Sequence, residues 1–136
     1  MLIKEINAKE TYQLRHEVMW PDRDLSYIIL DKDEEAKHFG LYIESSLIAV
    51  VSIFIDNENA QFRKFAAKKS EQGKGYGSLL LNHLMNFVSK EKHIKKLWCN
   101  ARIDKTYFYE KFGLEKTKEH FTKGGKEYVI MEKSFR

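Results

Sequence analysis

The segment Gln72-Gly73-Lys74-Gly75-Tyr76-Gly77-Ser78 constrains this chain more than any other. It follows residues 60–67, which alternate like a strand. It precedes a run whose apolar residues Leu80, Leu81, Leu84, Phe87 and Val88 recur at helical spacing. Glycines at such a junction let the main chain turn tightly and approach a ligand without Cβ interference. The first N–H groups of the helix lack internal partners and carry partial positive charge. Together these features make an anion cradle suited to a phosphate or pyrophosphate, the alternative being a glycine-rich turn that only starts a helix. Two phosphate motifs are excluded. A P-loop needs Gly-Lys-Ser/Thr, whereas Lys74 is followed by Gly75. A dinucleotide fingerprint needs Gly-x-Gly-x-x-Gly after the first strand of a parallel unit, and here the third glycine comes one residue early, behind hairpins.

The rest of the chain supplies the frame. Residues 2–6 read as an edge strand and residues 9–19 as a helix that Pro21 ends. Residues 22–37 form an irregular excursion with six acidic side chains. Strands at 38–44 and 47–55 are joined by Ser45-Ser46, and a turn over 56–59 leads to the strand at 60–67. There Phe62 and Ala66 are expected on one face, with Arg63 and Phe65 on the other. After the glycine segment come a helix, a strand at 96–101, a helix at 104–112 stopped by Gly113, and a hairpin around Gly124-Gly125. A strand–helix–strand unit set in a meander predicts a mixed α/β sheet with helices on both faces.

Composition narrows the class. A chain of 136 residues suits one domain spanning 1–136, and 43% hydrophobic residues exclude a disordered chain. The single cysteine, Cys99, cannot form an internal disulfide or a zinc cluster; it reads as inert core. No stretch approaches the roughly 18 apolar residues of a membrane span, and no secretion signal is visible at the N-terminus, so the expected compartment is cytoplasmic. The net charge of +4 admits nucleic acid or a small polyanion as ligand. Basic residues mostly alternate with acidic ones, so neither nucleic acid nor membrane is the expected partner.

Gln72-x-x-Gly75-x-Gly77 resembles the Gln/Arg-x-x-Gly-x-Gly/Ala signature of the GNAT superfamily of acetyl-CoA-dependent acetyltransferases. Phe108-Tyr109-Glu110-Lys111-Phe112-Gly113-Leu114 is similar to that family's Phe-Tyr-Glu-Lys-x-Gly-Phe segment, and the order of elements agrees over essentially the whole chain. The resemblance implies a mostly antiparallel sheet splayed between strands 4 and 5. It implies that acetyl-CoA is the cosubstrate, with its pyrophosphate on Gly73, Lys74, Gly75, Tyr76, Gly77 and Ser78 beside Gln72. It further implies that the pantetheine arm lies along Phe65, Ala66 and Ala67.

Lys68, Lys69, Arg102 and Lys105 are candidates for the ribose phosphate, and Asn100 or Arg63 for orienting a water or substrate. By the resemblance Tyr109 is the acid that protonates the leaving thiolate. The general base is open among Glu17, Glu44, His38 and His120, and Tyr128 stands where many relatives have a histidine. The expected acceptor is a primary amine of a small molecule or peptide, lying against residues 14–17 and 20–30. Asp22, Asp24, Asp31, Asp33, Glu34 and Glu35 are candidates to attract a cationic one. A monomer or homodimer is expected. A non-catalytic CoA-binding module of the same fold is the alternative function.

Overall fold

Alternating apolar residues pair the first half of the chain into an antiparallel meander of β1 (Leu2–Ile6), β2 (Lys37–Ile43), β3 (Ser46–Asp56) and β4 (Asn59–Ala67). Helix α1 (Ala8–Leu14) lies between β1 and β2, and α2 (Tyr76–Lys90) connects β4 to β5 (Lys96–Arg102). Helix α3 (Thr106–Glu110) and the hairpin β6 (Glu115–Lys123) and β7 (Lys126–Ser134) complete the chain. The computed structural model describes residues 1–136 as one seven-stranded sheet in the order β1-β2-β3-β4-β5-β7-β6. Its one parallel pairing joins β4 and β5, as the crossover helix requires.

Two apolar layers hold helices to opposite faces. Leu80, Leu81, Leu84 and Val88 of α2 are fully buried in the same cluster as Leu41, Ala49, Val51 and Ile53 of the sheet. Burying one such leucine is worth roughly 1.5–3 kcal/mol. On the other face Leu14 of α1 packs with Ile6, Val50 and Ala66. Asn7 starts α1 with a capping box: its side chain accepts from the Glu10 amide at 3.1 Å, and the Glu10 carboxylate accepts from the Asn7 amide at 3.2 Å.

The helix expected over 9–19 is present but changes character halfway. After Leu14 it continues as a π turn, Arg15–Met19. The reason lies in Arg15, fully buried on a buried Asp33. Its guanidinium donates to both carboxylate oxygens of Asp33 at 2.8 and 2.9 Å, to the Ile28 carbonyl at 3.0 Å and to Ser52 Oγ at 2.9 Å. His38 closes the network, with Nδ1 on Ser52 Oγ at 2.6 Å and Nε2 donating to the Asp33 carbonyl at 2.8 Å. These bonds tie the excursion over 22–37, with its short 3-10 turns Leu25–Ile28 and Asp33–Glu35, to the back of the sheet. The extra residue of a π turn rotates the residues that come after it, so Val18, Met19 and Trp20 turn toward the sheet's centre.

Two local expectations are corrected. The first hairpin turns at Glu44-Ser45, not Ser45-Ser46, because both take positive φ (48° and 70°) as a tight two-residue turn demands. Phe62 and Phe65 pack on the same face, in the α2 layer, while Ala66 joins the α1 layer. A β-bulge causes the reversal. Ser52 pairs with Arg63 and Val50 with Ala66, so Val51 faces both Lys64 and Phe65, and Lys64 sits at φ 55°.

Candidate functional site

The parallel ladder between β4 and β5 ends early. Pairing runs through Asn59–Lys96, Ala60–Leu97 and Gln61–Trp98 and then stops, while residues 62–67 and 99–102 continue apart. A cleft of about 770 Å³ fills the gap. The two diverging strand edges turn main-chain N–H and C=O groups toward it, and such groups require partners. The splay between strands 4 and 5 that the family resemblance implies is therefore present, at the Phe65–Ala67 end.

The glycine loop closes one end of the cleft. A Cβ on Gly73 or Gly75 would meet no atom within 4 Å, and both glycines have positive φ, 81° and 88°. The space over the first turn of α2 is thus open, with Gly75 as N-cap. Gly77 has another role. A Cβ there would come 3.2 Å from Phe65 Cζ, so its smallness serves packing against β4. Gln72 ties the loop down, donating from Nε2 to the Ala67 carbonyl at 2.8 Å.

Most of the residues singled out in the sequence converge on this cleft. Phe65, Ala66, Ala67, Gln72, Gly73, Gly75, Tyr76, Gly77, Ser78, Asn100, Arg102, Lys105 and Tyr109 all line it, as does Lys69. Lys74 does not; its ammonium is exposed and pairs with Glu71 at 3.2 Å. Lys68 is exposed outside the lining.

Tyr109 is held by aromatic packing. Its ring lies 5.8 Å from Phe62, 6.4 Å from Phe65 and 5.3 Å from Phe108. Burial raises its phenol above the ordinary value, the nearby Cys99 adds to this, and the Arg102 charge opposes it. The phenol therefore keeps its proton at neutral pH. Cys99 lines the same wall, and burial pushes its thiol up to about 12, so it remains a protonated, weakly nucleophilic group.

None of the four base candidates lies in the cleft. Glu17, Glu44 and His120 are exposed elsewhere, and both ring nitrogens of His38 are engaged in the buried network. The acidic residues of the excursion also stay out. Asp33 is committed to Arg15, and Asp22, Asp24, Asp31, Glu34 and Glu35 are exposed. The only carboxylate lining the cleft is Glu71, at its loop end.

Several lining residues are not singled out as ligands in the sequence, among them Val18, Met19, Phe62, Lys64, Glu71 and Lys126. Lys64 had a signal available, since Arg63-Lys64 puts two adjacent charges inside an otherwise apolar strand. Lys126 and Tyr128 arrive from the last hairpin, where the Lys126 ammonium sits 4.1 Å from the centre of the Trp20 ring.

Comparison with known proteins agrees with this geometry. The family model for the acetyltransferase (GNAT) domain matches residues 4–135. The uncharacterised N-acetyltransferase YitI of Bacillus subtilis (strain 168) is 24% identical over 98% of this chain and 96% of its own. The crystal structure of Escherichia coli ElaA superposes with a TM-score of 0.82 at 18% identity, over 97% of this chain and 98% of that one. A GNAT family acetyltransferase from Elizabethkingia anophelis with acetyl-CoA bound gives 0.75 at 18% identity, over 98% and 97%. A signature loop, a splayed parallel pair and a family match over nearly the full length lead to one assignment: the chain belongs to the GNAT family and is an N-acetyltransferase.

Proposed function

We propose that this protein transfers the acetyl group of acetyl-CoA to a primary amine by direct attack of the nitrogen on the thioester. The observation that carries the reading is a cleft with an open glycine cradle at one end and the phenol of Tyr109 in its wall. The residues present fit the cosubstrate. The amides of residues 73–78 cradle the pyrophosphate, and Lys69, Arg102 and Lys105 supply positive charge beside it. The free edges of β4 and β5 offer alternating donors and acceptors to an extended, amide-bearing arm. Bound there, acetyl-CoA supplies an activated acyl group.

The chain's own groups then serve the transfer. A main-chain N–H at the bulge near Lys64 and Phe65 donates to the carbonyl oxygen as negative charge gathers on it. Tyr109 gives its proton to the departing sulfur, and its raised pKa ensures that the proton is present beforehand. The only carboxylate lining the cleft is Glu71, which Lys74 holds. The attacking amine accordingly arrives neutral or gives its proton to water. The test is thiol release from acetyl-CoA across a panel of amines, for the parent and for Tyr109→Phe. A drop in kcat of about 100-fold with unchanged acetyl-CoA affinity is expected. Equal kcat in a folded variant would remove Tyr109 from the mechanism.

A further inference from the structure

Three half-buried cations, Arg63, Lys64 and Lys126, line the cleft, and none of them makes a salt bridge. Their surroundings intensify one sign of charge. Burial, then the charges of Arg63, Arg15 and Lys123, push the Lys64 ammonium down to about 8, with Asp33 opposing. Burial and Arg102 act in the same direction on Lys126, with Asp104 opposing. Two of the cations stack on rings instead of on carboxylates, Lys126 on Trp20 at 4.1 Å and Arg63 on Phe54 at 5.8 Å. Partly buried cations without counter-charges are unfavourable unless something anionic joins them.

Acetyl-CoA is not that partner, given the reading above on which this inference rests. Its negative charges are all on phosphates, and the glycine cradle with Lys69, Arg102 and Lys105 takes those. Lys64 stands on the bulge three residues before the end of β4, roughly 10 Å upstream at strand rise. Lys126 comes from the opposite side, on the hairpin packed against Trp20. This is the end where the acyl group meets its acceptor, and the arm beside it is uncharged.

We infer that Arg63, Lys64 and Lys126 receive a carboxylate on the acceptor, so that the amine acetylated belongs to a molecule that also carries a carboxylate. The lining argues in the same direction: its one carboxylate, Glu71, sits at the loop end and pairs with Lys74, so a polyamine would meet like charge beside Lys64 and Lys126. The acidic excursion does not compensate: its one buried acid is already engaged by Arg15.

The test measures kcat/KM with acetyl-CoA for γ-aminobutyrate, n-butylamine and cadaverine. A short peptide with an N-terminal glutamate separates a free amino acid from a peptide end as the source of the charge. γ-Aminobutyrate or the peptide should exceed n-butylamine by about tenfold or more, and cadaverine should fall below it. Lys64→Met and Lys126→Met should each lower the carboxylate-to-neutral ratio about tenfold through KM, and Lys64→Glu should reverse it. Equal rates on all amines, a preference for cadaverine, or an unchanged ratio in Lys64→Met would overturn the inference.

Calorimetry with glutarate on CoA-saturated protein provides a readout independent of turnover. Binding that Lys64→Glu abolishes supports the carboxylate site even if no amine is acetylated, in which case only the transfer reading fails. Absence of glutarate binding, with acetylation of neutral amines intact, sinks the carboxylate site alone.

Discussion

Two sets of buried or half-buried charges lie near one another in this protein, and they are treated in opposite ways. Behind β3, Arg15, Asp33, Ser52 and His38 form a closed network in which every side-chain polar atom except Arg15 Nε is bonded. Where β4 bulges, Arg63 and Lys64 face the cleft with no salt bridge, joined by Lys126 from the last hairpin. The first set fixes a long excursion to the sheet. The second is incomplete by itself. The difference separates charge used for folding from charge held in reserve for a ligand, and substitution should divide the two sets.

The largest effect is expected at the closed network. Asp33→Ala leaves the buried Arg15 charge uncompensated and should cost about 3–5 kcal/mol, read as a lowered denaturation midpoint. Lys64→Met should instead leave stability equal or higher at neutral pH. A similar loss in both variants would erase the distinction.

The pH dependences should share a sign but fall in separate windows, one acidic and one alkaline. Burial raises the Asp33 carboxyl, but the bonds and charge of Arg15 outweigh it and hold the group below its ordinary value. Its contribution is thus present above the ordinary carboxylate range near pH 4 and is lost as pH falls through the lower folded value. Lys64 is depressed to about 8, so between that pH and about 10.4 the unfolded chain holds the proton that the folded chain has released. Stability should therefore rise with pH over this window in the parent, and the rise should flatten in Lys64→Met. Urea denaturation at pH 7 and pH 10 compares the two directly.

Within the cleft, Gly75→Ala should weaken acetyl-CoA binding by about tenfold, since φ near 88° costs an L-residue roughly 1–2 kcal/mol and the new methyl enters the cradle. The smallest effect is expected from Lys74→Ala, whose exposed ammonium is not part of the lining and pairs with Glu71. Acetyl-CoA affinity, measured for both variants by calorimetric titration of the cosubstrate, should here change less than threefold.

Much of this layout was legible in the sequence because the decisive signals are local. The alternating glycines, the helical spacing behind them and the tyrosine segment each occupy a few consecutive residues, and the cleft gathers nearly all of them. What escaped is non-local or has no residue signature. The bulge puts Lys64, not a glycine, in the left-handed region, and it inverts the face expected for Phe65. The π turn depends on an Arg15–Asp33 pair separated by 18 residues. The excursion looked like an acidic mouth, but its one buried acid was already paired and the others faced outward. A count of charges cannot distinguish a partnered carboxylate from a free one.

The most direct measurement is amide hydrogen exchange with and without acetyl-CoA. Slowed exchange should concentrate at residues 62–67 and 73–78, where diverging main chain and glycine amides acquire partners. Exchange unchanged in those two segments, or slowed only elsewhere, would contradict a thioester carrier seated in the gap between β4 and β5.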